Sequence, residues 1–231
     1  MSDTLSYRLD GDVAVLTMDD GKANALSHEM IGALRKALDR AEGEAGAVAL
    51  LGRDGRFCGG FDLSEMGGGP EAARELVTAG AELLLRLYEL PRPTVIGAGG
   101  HALAAGALLL CAADTRIVAR GDFKIGLNEV AIGMALPVFG IALARDRLSK
   151  RHYTAAVLQA RLYDGDGAVD AGFADRAVAP DAVAQAAVDA ARALAQLSRG
   201  AYAGTKQKAR AAVAAHIRDT LAEDMARISA G

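Results

Sequence analysis

The 231-residue sequence predicts an α/β fold with a helical C-terminal part. Three observations carry this: a ββαβ pattern opens the chain, short strands and helices keep alternating to about residue 180, and alanine-rich helical stretches close it. Residues 1–180 are therefore read as the core and 181–231 as the C-terminal helical part.

Leu5, Tyr7 and Leu9 alternate with polar residues, Asp10-Gly11 is a hairpin signal, and Val13 to Met18 is a second extended run. Ser27 can cap a helix whose apolar residues Met30, Ile31, Leu34, Leu38 and Ala41 share one face. Ala47 to Leu51 is then a short buried strand. Phe57-Cys58-Gly59-Gly60 reads as a tight turn, Pro70 to Glu89 as a helix, and Pro93 to Ile96 as a strand. A helix over Ala104 to Ala113 and a strand over Thr115 to Val118 follow. After Pro137 the chain is mostly helical, with Asp164-Gly165-Asp166-Gly167 as a break and late helices over Ala182 to Leu197 and Tyr202 to Ile228.

Composition narrows the function. Hydrophobic residues make up 52% and glycines number 27, which fits a globular protein with many turns rather than a disordered one. A net charge of -3 and the absence of any long basic block give no reason to expect nucleic acid. The apolar run Ala102 to Ala113 is too short to span a bilayer, and Met1 to Asp10 does not resemble a signal peptide. Cys58 and Cys111 lack zinc-site spacing and read as buried free thiols, so no metal, no membrane and a reducing cytoplasm are expected.

Common catalytic templates do not match. The chain has no G-x-S-x-G elbow, P-loop or H-E-x-x-H. Gly97-Ala98-Gly99-Gly100-His101-Ala102 does match G-x-G-x-x-A after a strand, but the match is weak. The expected acidic residue is missing from the end of the next strand, and the helix opens two residues past the motif. His101 is read as a turn or packing residue, since nothing supplies it with a nucleophile or metal partners.

Glu129, inside the apolar run Phe123 to Gly133, is the residue most suggestive of chemistry. Lost hydration would raise its pKa toward the range where one carboxyl both removes and returns a proton; a surface glutamate at a strand corner is the plainer alternative. If the turn Gly59-Gly60-Phe61 and the helix start Ala104-Ala105-Gly106 aim backbone N–H groups into the same cleft, they form an oxyanion hole. The helix N-terminus adds partial positive charge there.

Phe57-Cys58-Gly59-Gly60-Phe61-Asp62-Leu63, Gly99 to Gly106 leading to Asp114, and Gly126-Leu127-Asn128-Glu129-Val130 followed by Gly133 resemble the three signature blocks of the crotonase (enoyl-CoA hydratase/isomerase) superfamily. Lys22-Ala23-Asn24-Ala25-Leu26 is similar to its coenzyme A contact, and Asp170 to Asp175 to its A-x-x-x-G-L-V-D stretch. The resemblance implies a crotonase-like spiral of ββα units. Its C-terminal helical part would serve trimerisation and cover the active site, in a homotrimer or dimer of trimers acting on an acyl-CoA thioester. It implies no separate cofactor, coenzyme A being part of the substrate.

Carried onto this chain, the resemblance gives Phe61 and Ala105 as oxyanion N–H donors and Glu129 as the base. Ala25, Asp62 and Leu63 line the coenzyme A site with Lys22 near a phosphate. Lys206 and Lys208 either approach phosphate or lie on a solvated helix face. Three features point to the activity. Hydratases of the superfamily hold water between two glutamates, and the first of those positions is Leu108 here. Gly-Leu-Asn-Glu resembles the mitochondrial type of Δ3,Δ2-enoyl-CoA isomerase, and Ala135 stands near where dehalogenase and dienoyl-isomerase members carry an aspartate. The expected function is a single-glutamate isomerase of fatty acid metabolism, with enoyl-CoA hydratase and a non-catalytic acyl-CoA-binding protein as alternatives.

Overall fold

A computed structural model describes residues 4–228. The chain opens on the expected hairpin: β1 (Leu5–Asp10) pairs antiparallel with β2 (Val13–Met18), and Gly11 takes the φ of +61° that the turn requires. Ser27 caps α1 (His28–Glu44), its hydroxyl accepting from the Met30 N–H at 3.1 Å. The five apolar residues picked out in this helix are all buried.

From β3 (Ala47–Leu51) onward a ββα unit repeats. β3, β5 (Thr94–Ala98) and β7 (Thr115–Ala119) enter a six-stranded sheet of order β1-β2-β3-β5-β7-β9, closed by β9 (Arg176–Val178). β4 (Gly55–Cys58), β6 (Gly100–Leu103) and β8 (Ile125–Gly126) form a second, three-stranded sheet. Every strand-to-strand pairing described after the hairpin is parallel, with isolated antiparallel bridges only at Arg53–Arg56 and Ile125–Tyr163. Helices α2 (Leu63–Met66) with α3 (Pro70–Glu89), and then α4 (Ala105–Ala112), join successive turns of this α/β spiral.

β4 and β6 occupy segments that the sequence suggested were turns. Each is four residues long and begins on a glycine, too short for a period-two hydrophobic pattern to register in the sequence. The G-x-G-x-x-A segment is thus a passage between the two sheets rather than a strand-to-helix phosphate loop. A β-carbon on Gly100 would lie 1.9 Å from the Gly55 carbonyl carbon, so this glycine serves backbone approach. Asp164-Gly165-Asp166-Gly167 is likewise not a break. Asp164 caps α7 (Gly165–Ala171), accepting from the Gly167 N–H at 2.7 Å, and it follows α5 (Val138–Arg147) and α6 (Lys150–Val157).

Strand alternation divides the core. Ala14, Leu16, Met18, Val48, Leu50, Ile96 and Val118 face the main core with α1, α3 and α4. The opposite face of the same strands, with Val13, Val15, Ala49, Leu51, Val95 and Ile117, is covered by Ala187, Val188 and Ala191 of α8 (Val183–Leu194). α8 begins just past a short 3₁₀ turn at Pro180–Ala182, where the sequence suggested a boundary. The approach of α8 is close at Gly97, where a β-carbon would come within 2.7 Å of a Leu51 methyl and 2.9 Å of the Ala187 methyl. Gly97→Ala is expected to destabilise the fold by about 1–3 kcal/mol through overpacking, read as a lower urea midpoint at constant slope. An unchanged midpoint would show that the layers have slack.

α9 (Arg199–Ile228) packs on α3 and α5 and is pinned by a buried ion cluster. Asp114 accepts from Lys206 at 2.7 Å, from Arg210 at 2.8 Å, and from the Thr94 N–H and hydroxyl at 2.7 and 2.8 Å. Lys206 therefore neither reaches phosphate nor lies on a solvated face: it is 7% exposed, and burial pushes its ammonium down to about 8 despite Asp114. Lys208, two residues on, is exposed. Arg210 also donates to the Tyr88 and Ala112 carbonyls near the ends of α3 and α4, where helix dipoles favour a cation.

Candidate active site

The site begins with a loop folded round Asp20. Its carboxylate accepts from the N–H groups of Lys22 (2.7 Å), Asn24 (2.9 Å) and Ala25 (3.2 Å). Asn24, fully buried at φ +52°, donates its amide to the carbonyls of Met18 and Phe57, fastening the loop to β2 and β4. Asn24 was legible only as part of a motif; its buried position gives it this anchoring task. Leu26 then bridges to Phe61, donating to the Gly60 carbonyl at 2.8 Å and accepting from the Asp62 N–H at 3.2 Å. In a parallel bridge the residue between those groups turns its own N–H away, so the Phe61 N–H faces away from Leu26.

Two turns meet at Gly60. Its φ is +105°, and a β-carbon there would lie 3.0 Å from the Ala104 β-carbon and 3.7 Å from the Ala105 nitrogen. Ala104 precedes α4 with its N–H bonded to the Gly126 carbonyl and its own carbonyl bonded by Ala107 and Leu108. Ala105 is the first residue of α4, where N–H groups have no partner within the helix. Every residue of α4 is buried, so the positive end of its dipole acts in apolar surroundings.

Glu129 follows β8 and is only 8% exposed; its Oε2 is buried without a hydrogen-bond partner. Burial pushes its carboxyl above the ordinary range, offset in part by its own backbone N–H. The plainer reading of Glu129 as a surface residue is therefore wrong. It lines a cavity of 730 Å³ together with Phe61, Leu63, Ala104, Leu108 and Ala135. Ala105, the next residue along, is buried and is not itself among the lining residues.

Of the other residues singled out, Lys22, Ala25 and Asp62 lie on the adjoining loops. Asp62 caps α2, and its carboxyl is held below the usual range by the Ser64 hydroxyl, against burial, with backbone N–H groups and the charge of Lys22 adding to the effect. Leu63 is 67% exposed at the cavity rim. His101 sits on β6, not in a turn. Its Nδ1 accepts from the Lys124 N–H at 2.9 Å, its ring meets Phe123 edge-on, and burial lowers its pKa, which marks a neutral packing residue. Cys58 and Cys111 are buried free thiols, pushed up by burial to about 12 and about 11.

One cavity residue, Asp224, carried no signal in the sequence, and a second, Asn128, was legible only as part of the Gly-Leu-Asn-Glu motif. Asp224, on α9, brings a second carboxylate to the wall, but its Oδ2 accepts from the Val138 N–H at 2.7 Å and caps α5. Asn128 has a buried Oδ1 without a partner. Among the described residues no group of three or more His, Cys, Asp or Glu side chains is placed to hold a metal ion, and no helix is long and apolar enough to cross a membrane.

A ββα spiral with a buried carboxylate in a cleft beside two backbone-exposing turns defines a protein of the crotonase superfamily. The chain belongs to the enoyl-CoA hydratase/isomerase family, whose model matches residues 8–228. A probable enoyl-CoA hydratase from Mycobacterium tuberculosis superposes with a TM-score of 0.94 at 38% identity, over 97% of this chain and 96% of that one. Human mitochondrial Δ3-Δ2-enoyl-CoA isomerase superposes equally well, TM-score 0.94, at 27% identity over 99% and 91% of the two chains. A probable enoyl-CoA hydratase from Bacillus subtilis is 34% identical over 134 residues, 56% of this chain, which spans about half (52%) of that relative.

Proposed function

We propose that this protein is a Δ3,Δ2-enoyl-CoA isomerase in which Glu129 is the sole acid–base group. The observation that carries the reading is the cavity wall: Glu129 shares it with Leu108 and Ala135, while Asp224 is engaged in capping α5. Leucine neither orients nor deprotonates water, and it keeps water from the reacting carbons.

Glu129 takes a proton from C2 of a 3-enoyl-CoA, and the C2–H electron pair moves into the thioester carbonyl. The dienolate oxygen rests on the N–H groups of Phe61 and Ala105, each contributing about 3 kcal/mol. The same carboxyl returns its proton to C4, leaving the double bond between C2 and C3. Lys22, Ala25, Asp62 and Leu63 hold the coenzyme A portion at the cavity mouth, Lys22 toward a phosphate. The motif resemblance further supports a homotrimer or dimer of trimers, and the two buried free thiols suit a reducing cytoplasm.

A hydratase reading is favoured by one observation: the unpartnered oxygens of Asn128 and Glu129 could both accept from a bound water. A non-catalytic acyl-CoA-binding role gives no reason to bury an ionisable Glu129. Conjugated thioester absorbance separates the readings. A gain with 3-enoyl-CoA marks an isomerase, a loss with 2-enoyl-CoA marks a hydratase, and no change in either despite coenzyme A binding marks a binding protein. Leu108→Glu is expected to raise hydration of 2-enoyl-CoA by at least tenfold, on the order of one well-placed acid–base group. Unchanged hydration would remove Leu108 as the reason for a missing water site.

A further inference from the structure

Ala104 is the strained residue of the cleft. It takes φ +50° and ψ -122°, a conformation that L side chains rarely adopt and glycine adopts freely. The backbone cannot relax away from it, because its N–H is bonded to the Gly126 carbonyl at 3.0 Å and its carbonyl accepts from Ala107 at 2.9 Å and Leu108 at 3.1 Å. A glycine would satisfy every one of these bonds without strain. The alanine adds a methyl, and Ala104 is on the wall of the 730 Å³ cavity, which Phe61 and Leu108 also line.

Resting on the isomerase reading above, we propose that the Ala104 methyl is a specificity determinant that confines substrates to acyl-CoA thioesters unbranched at C2. The neighbouring Ala105 N–H is the proposed partner of the thioester oxygen, so the methyl borders the carbonyl carbon and C2. Gly60 closes the cleft from the facing turn, where even a β-carbon would crowd Ala104 at 3.0 Å. A C2 methyl would have to enter the space between these turns. A hydrogen on C2 fits there, and a 2-methyl-3-enoyl thioester still carries the single C2 proton that the reaction requires.

The test compares wild type, Ala104→Gly and Ala104→Ser with a 3-enoyl-CoA and its 2-methyl counterpart. The ratio of kcat/KM for branched over unbranched substrate is expected to rise at least tenfold in Ala104→Gly and not in Ala104→Ser, which keeps the β-carbon. Ala104→Gly is also expected to melt higher as the strain is relieved. A ratio within twofold of wild type in Ala104→Gly overturns the proposal. If wild type fails to isomerise the unbranched substrate, the isomerase reading falls on its own, and binding decides the proposal instead. Calorimetry with butyryl-CoA and 2-methylbutyryl-CoA should then show the branched ligand discriminated against by wild type and Ala104→Ser but accepted by Ala104→Gly; equal discrimination by all three overturns it.

Discussion

Glu129→Gln is expected to abolish the proposed isomerisation and, at neutral pH, to stabilise the protein. Loss of the acid–base group should lower kcat by about 10²–10⁴-fold, with KM little changed because the amide keeps the shape of the carboxylate. The stability gain follows from the carboxyl's surroundings. Its Oε2 has no partner, and burial raises its pKa above the unfolded value. A folded state with the raised carboxyl pKa binds the proton more tightly than the unfolded chain, so wild-type stability falls as pH rises from about 4.3 through the raised value. Glutamine carries no charge and escapes this decline. The variant should exceed wild type at pH 7 and converge with it below pH 4. Urea melts across that range provide the check; a gap independent of pH would mean that the ionised carboxylate is not the source of the penalty.

Asp114→Ala is expected to give the largest loss of stability, about 3–5 kcal/mol, because it leaves Lys206 and Arg210 buried without their carboxylate. For a chain of this length that corresponds to a fall in Tm of about 10 °C. Asp114 is held below the usual carboxylate range although burial alone would raise it; Lys206 and Arg210, with the Lys206 and Thr94 hydrogen bonds, outweigh that effect. If the penalty lies in the stranded charges, adding Lys206→Met should recover part of the loss, a coupling visible in a double-mutant cycle. A fall in Tm of less than about 3 °C for the single variant would show that α9 docks through its apolar side chains alone.

Where one residue type dictates the local outcome, the sequence was a sufficient guide. Gly11 had to turn, Ser27 had to cap, and the period of α1 had to bury Met30 through Ala41. The second sheet was hidden because β4, β6 and β8 are at most four residues long and take their order from tertiary pairing, which no local pattern encodes. The site divides in the same way. Glu129 was legible because a charge among apolar residues is anomalous in sequence. Asp224 was not, since an aspartate among the charges of a surface helix is ordinary until α5 is seen to start on it. Lys206 was misjudged for the converse reason. Its partner Asp114 lies 92 positions away.

The small sheet has a consequence for how the chemistry can change. β4 runs out toward Gly60 and Phe61, β6 toward Ala104 and Ala105, and β8 toward Glu129. Neighbouring strands in any sheet stand about 4.8 Å apart. The proposed donors and base are thus mounted on three adjacent rungs of one ladder, whose pitch is fixed by main-chain hydrogen bonds rather than by side chains. Altering the loop beyond β8 could exchange one base for another while the anion-binding rungs stay in register. Insertions in the helices that line the cavity would remodel its enclosure without moving any rung.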